Sequence, residues 1–82
     1  MNKNIPNYGK ITTPAEIGQM IRAKRQQEGL TQAEVAGLCN VGNRFLSELE
    51  NGKTTTELGK VLKVLNCLGL NIIIAPRSGF NL

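Results

Sequence analysis

Asn43, Arg44, Ser47 and Glu48 share one side of a short amphipathic stretch whose other side carries Val41, Phe45, Leu46 and Leu49. Wound as a helix, the apolar set at i, i+4, i+5 and i+8 turns inward and the polar four face solvent. Asn and Arg carry the donor geometry that reads adenine and guanine edges in a DNA major groove, and Ser can serve a base or a phosphate. Glu48 has two readings: it accepts from a cytosine amino group, or it pairs with Arg44 at i−4. Phe45 also has two, core packing or contact with a thymine methyl. This is the chemistry of recognition and not of bond breaking. The chain has no His and no Asp, and its six carboxylates are Glu scattered along the sequence. No glycine-rich phosphate loop and no nucleophile–base pair is visible, so an enzyme is not expected. Cys39 and Cys67, without a His, are too few ligands for zinc, and each reads as a small buried residue in a reducing compartment. No metal and no cofactor is expected.

The element that must position this face is the stretch from Leu30 to Gly52, LTQAEVAGLCNVGNRFLSELENG. Thr31 is an N-cap, and Glu34 three residues on completes a capping box. The helix they start presents Val35, Ala36 and Leu38 for burial. It stops at Cys39-Asn40, where Asn can take the left-handed conformation of a sharp turn. The second helix follows and ends at Asn51-Gly52. Two helices and a turn of this size form the helix-turn-helix unit, whose second helix enters the major groove.

Two further helices are expected around it. The first starts at Thr13-Pro14 with Glu16 completing the cap, buries Ile17, Met20 and Ile21 with the stem of Lys24, and closes at Gly29. Arg22, Lys24 and Arg25 suit its C-terminal half, and Arg25 lies one step from the buried stripe. The last helix, capped by Thr55 or Thr56, carries Leu58, Val61, Leu62, Leu65 and Leu68 and closes at Gly69. Lys60 and Lys63 on it read as solvated. Eighty-two residues make one domain, small enough that oligomerisation often completes the core. A net charge of +4 and a pI near 9.4 fit an anionic partner. No apolar run is long enough to span a bilayer and no signal-peptide core is present, so a cytoplasmic, nucleoid-associated protein is expected.

The run IRAKRQQEGLTQAEVAGLCNV…LSELENG resembles the Xre/Cro-type helix-turn-helix of phage repressors, over about two thirds of the chain. The resemblance implies that Arg25 pairs with Glu50 inside the domain, fixing the first helix against the end of the recognition helix. It also implies that Gln32 grips a phosphate and braces that helix, with Asn43, Arg44, Ser47 and Glu48 toward the bases. Asn51, Lys53, Thr54 and Thr55 follow toward the next phosphates. The sequence departs from the family pattern at Gly42, where a Ser or Thr N-cap is usual, and at Glu48, a carboxylate on the DNA-facing side.

Residues 1–12 read as a polar arm whose Lys3 and Lys10 could reach phosphate or the minor groove, or as a loose terminus. At the other end Leu70-Asn71-Ile72-Ile73-Ile74-Ala75 is rich in β-branched residues and stops at Pro76. A lone strand cannot satisfy its own backbone, so pairing with the same strand of a second subunit is expected. The alternative is a strand tucked onto its own helices. Residues 76–82 form a short tail. A helix-turn-helix domain over 13–69 with a strand at 70–75 is similar to the HipB antitoxins, partners of HipA-type serine/threonine kinase toxins. That resemblance implies a homodimer with a shared small sheet, operon autoregulation and a docked kinase. The expected fold is thus mainly α, a phage-repressor-like bundle of four to five helices with a C-terminal strand pairing across a dimer. The expected function is a double-stranded-operator-binding repressor, the antitoxin of a toxin–antitoxin module, or alternatively a free-standing Xre-family repressor with no toxin partner.

Overall fold

Threonine caps decide where the first two helices begin. In the computed structural model, which describes residues 8–77, α1 spans Pro14–Gln27 and α2 spans Gln32–Cys39. Thr13 accepts from the Glu16 backbone while the Glu16 carboxylate accepts from the Thr12 and Thr13 N–H groups at 2.7 and 2.9 Å. Thr31 and Glu34 repeat the arrangement. These are the expected capping boxes. Each satisfies backbone donors that the first helical turn leaves free. The next two helices, α3 (Asn43–Glu50) and α4 (Leu58–Cys67), start from Gly42 and Glu57 without a side-chain cap. Thr55 and Thr56 therefore do not cap the last helix, a correction to the expectation.

The helices all end alike, on a left-handed residue: Gly29, Asn40, Gly52 and Gly69 have φ of 73°, 56°, 84° and 75°. The residue after each donates back five positions, as Leu30 does to Arg25, Val41 to Ala36, Lys53 to Glu48 and Leu70 to Leu65. This Schellman geometry folds the following side chain over the last turn. Leu30, Val41 and Leu70 consequently pack against the core.

The core is Ile21 from α1, Val35, Ala36 and Cys39 from α2, Leu46 and Leu49 from α3, and Val61, Val64, Leu65 and Leu68 from the α4 region. Helix α1 lies against α3, and α2 bridges α3 and α4. At Gly18 of α1 a Cβ would collide with the Leu49 carbonyl oxygen. Only glycine lets α1 seat on the end of α3 there.

Four inward positions differ from the sequence reading. Leu38 is 69% exposed, and Cys39 takes the buried place beside Val35 and Ala36. Val35, Ala36 and Cys39, at i, i+1 and i+4, share one face of α2, and Leu38 falls outside it. On α4 Leu58 and Leu62 are exposed and Val64 is buried instead. Cys67, expected inside, is exposed, whereas Cys39 is buried as expected. Burial raises the Cys39 thiol to about 12, with Cys67 beside it adding to the shift.

Residues 71–76 carry no regular structure in this single chain, and residues 70–77 run from half-buried Leu70 to fully open positions, Ile74 being 93% exposed. The strand expected at 70–75 is therefore not formed in this single chain, neither as an extended strand nor tucked onto its own helices, since it has no partner here to satisfy its backbone. Residues 1–7 of the proposed arm and 78–82 of the tail lie outside the described residues. Among the described residues no helix is long and apolar enough to cross a membrane.

Candidate nucleic-acid interface

The outer face of α3 is fixed from behind by a buried charge cluster. Arg25 presents its fork to the last residue of α3, with Nε donating to Glu50 Oε2 at 2.7 Å and Nη2 to Oε1 at 2.9 Å. Its Nη1 donates to the Leu30 carbonyl at 2.8 Å. Gln32 Nε2, at the start of α2, adds a donor to Glu50 Oε1 at 3.0 Å. The Glu50 side chain is only 2% exposed. Arg25 and Glu50 together thereby tie α1, the α1–α2 turn, α2 and α3 at one point, and the Arg25 guanidinium holds its proton more tightly for the hydrogen bonds it donates to that carboxylate. No buried side-chain polar atom among the described residues lacks a partner. The Arg25–Glu50 pair expected from the resemblance is in place.

With Leu46, Leu49 and Glu50 anchored inward, the residues expected to meet DNA fall on the open side. Asn43 and Arg44 are exposed, the Arg44 side chain by 91%, and Ser47 and Glu48 are partly exposed. Asn51, Lys53, Thr54 and Thr55 lie exposed on the turn leaving α3. Phe45 packs against the core, and Lys60 Nζ sits 5.6 Å from its ring centroid. Lys63 caps the end of α2 through the Asn40 carbonyl at 3.2 Å.

Glu48 adopts the pairing reading. Its Oε2 accepts from Arg44 Nε at 3.3 Å and its Oε1 from Lys53 Nζ at 3.1 Å. Those contacts, Lys53 first, hold its carboxyl below the usual carboxylate range. The Lys53 partner was not foreseen. The signal was present in the order Glu48…Asn51-Gly52-Lys53, since a left-handed glycine after a helix returns the next residue over the one five places back. The seat of Gly18 on Leu49 was also missed, because a contact between helices thirty residues apart leaves no local pattern.

On the apolar side, an open groove of about 670 Å³ lies between residues 8–11, residues 70–77 and α1. Tyr8, Ile11, Ile17, Met20 and Leu70 line it together with Ile72, Ile73 and Ile74. The segment expected to form the dimer strand is thus an uncovered apolar surface.

The helix-turn-helix family HTH_3 matches residues 21–73. An uncharacterised helix-turn-helix-type transcriptional regulator of Sinorhizobium fredii, y4mF, is 50% identical over 68 residues, 82% of this chain and 90% of that protein. The antitoxin HipB of Escherichia coli is 29% identical over 68 residues, 83% of this chain and 77% of that one. Among solved structures, a HipB–O4 20mer complex superposes with a TM-score of 0.77 at 28% identity, covering 85% of this chain and 99% of the other. A chain of a HipA–HipB–O2–O3 complex gives the same values.

Proposed function

The chain belongs to the helix-turn-helix family HTH_3, and from that premise we propose that it represses transcription by binding double-stranded operator DNA as a homodimer through α3. It is a transcriptional regulator of the HipB/Xre type. One observation carries the finer reading: the polar face of α3 stands open while Arg25, Gln32 and Glu50 hold its far side rigid. A helix held in this way presents its outward side chains to base edges without reordering on binding. In this reading Asn43, Arg44, Ser47 and Glu48 face the bases, and Gln32, Asn51, Lys53 and Thr54 position the protein on phosphates.

Leu70 to Ala75 supply the dimer contact, each subunit completing the other's unpaired segment across a two-fold axis. The relation to HipB, which occurs in complex with HipA, supports a role as the antitoxin of a two-protein module, with a HipA-type kinase as the partner. Such a module places the protein in the cytoplasm on the nucleoid.

The test has two arms. Selection from a randomised duplex library gives the preferred sequence, and Arg44→Ala then loses discrimination by about 1–3 kcal/mol at one base pair, while Gln32→Ala weakens binding to all sequences alike. Unchanged preference in Arg44→Ala would remove α3 as the reading face. Affinity purification of the tagged chain from its own cells, with intact-mass identification of stoichiometric partners, addresses the module. Recovery of a kinase-sized protein supports the antitoxin role, and recovery of the dimer alone leaves a free-standing repressor.

A further inference from the structure

Helix α3 differs from the other three in what its ending folds back. After α1, α2 and α4 the returning residue is Leu30, Val41 or Leu70, and each goes to the core. After α3 it is Lys53, whose backbone N–H bonds the Glu48 carbonyl at 3.0 Å and whose Nζ reaches the Glu48 carboxylate at 3.1 Å. One turn earlier Arg44 Nε occupies the other carboxylate oxygen at 3.3 Å. A single carboxylate therefore holds both cations of the outer face. Exposed pairs of this kind add little to folding, so stability gives no strong reason to place an acid among residues that meet a polyanion.

We propose that Glu48 is a specificity-determining residue which restrains Arg44 and Lys53 so that the protein binds unmatched DNA weakly. The proposal rests on the reading of α3 as the DNA-facing helix. Affinity for any duplex follows the number of phosphates that Lys and Arg neutralise, whatever the sequence. On unmatched DNA Lys53 stays with Glu48 and is withheld from that sum, and it passes to its phosphate only in the matched complex, where the base contacts hold α3 close to the duplex. Arg44 engaged through Nε keeps both terminal nitrogens free, and these form the fork that meets the O6 and N7 acceptors of a guanine. Glu48 thus leaves the sequence-dependent contact available while lowering the sequence-independent one. Discrimination is the difference between the two affinities, and weakening the wrong complex raises it as surely as strengthening the right one.

The test is Glu48→Gln, which keeps the shape and one acceptor but removes the charge. Binding of the full chain is measured over a salt series to an unrelated duplex and to the sequence selected by the wild type. The expected result is about tenfold tighter binding to the unrelated duplex near 0.1 M salt, with a salt dependence steeper by about one phosphate contact. The ratio of selected to unrelated affinity falls by a similar factor. Adding Lys53→Ala to Glu48→Gln abolishes the gain, because the released cation is then absent. A thermal melt checks that Glu48→Gln remains folded, and a purely structural role for Glu48 would not move the salt slope. If the wild type selects a sequence and Glu48→Gln leaves the unrelated-duplex affinity and slope unchanged, the proposal about Glu48 is overturned while the DNA reading stands. If the wild type selects no sequence and its binding ignores salt, both fall.

Discussion

Glu50 shows how much one buried side chain can organise. It receives two donors from Arg25 and one from Gln32, so Glu50→Ala would strand a guanidinium in a nearly closed site. We expect a loss of about 3 kcal/mol, seen as a fall in melting temperature of more than ~10 °C for a domain of this size. The pair itself is not the source of that number. Replacing both partners by Met and Leu should recover most of the loss, since the cost is that of an uncompensated buried charge. An unchanged melting temperature in Glu50→Ala would contradict the structure. Glu16 and Glu34 act at the surface instead. Their carboxyls are held below the ordinary 4.5, Glu16 mainly by the Thr12 backbone N–H and Glu34 by that of Thr31. A lowered folded value means that the ionised form favours the fold. This stabilisation is present above the unfolded value and is lost as pH falls through the lowered folded value. Thermal melts taken from neutrality into acid should therefore decline below about pH 4.5, and Glu16→Gln with Glu34→Gln should flatten that decline.

At the scale of elements, Gly18 and Gly37, two of the three helical glycines, sit on helices for opposite reasons. Gly18 of α1 is buried against the Leu49 and Glu50 carbonyls, whereas a Cβ on Gly37 of α2 meets nothing within 4 Å. Gly37→Ala should stabilise the protein by roughly 0.5–1 kcal/mol, the difference in helix preference. Gly18→Ala must push α1 off the end of α3 and should cost about 1–3 kcal/mol. Denaturant unfolding of both variants distinguishes the two. A stable Gly18→Ala protein would mean that α1 and α3 do not approach this closely. The shared helix ending has a similar double use. It delivers apolar residues to the core after three helices, and after α3 it delivers Lys53 to the outer face.

For the molecule as a whole, the described residues leave the apolar segment 72–74 exposed. Ile72, Ile73 and Ile74 are exposed beside an open groove that includes Tyr8 and Ile11. Surface of this kind favours association over solution. Sedimentation of a chain ending before Leu70 is expected to give a monomer where the full chain gives a dimer. A dimer in both would move the main contact onto the helices, for which the exposed Leu58 and Leu62 of α4 are available.

Local rules settled much of this protein. Capping boxes at Thr13 and Thr31, the left-handed Asn40 and the pattern of α3 follow from neighbours in sequence, because backbone donors near a helix end are satisfied within a few residues. The apolar spacing of α3 also set which of its residues would face outward. The Arg25–Glu50 pair, twenty-five positions apart, was legible only through the family resemblance, since no local rule joins a cation on one helix to an acid on another. The tertiary structure alone decided that Leu38 and Cys67 stay outside, that Val64 is buried where Leu58 and Leu62 are not, and that Gly18 seats on Leu49. Those outcomes depend on the angle at which short helices meet. Two turns of amphipathic sequence define an apolar side, but only packing against the neighbours selects the side chains that it closes over.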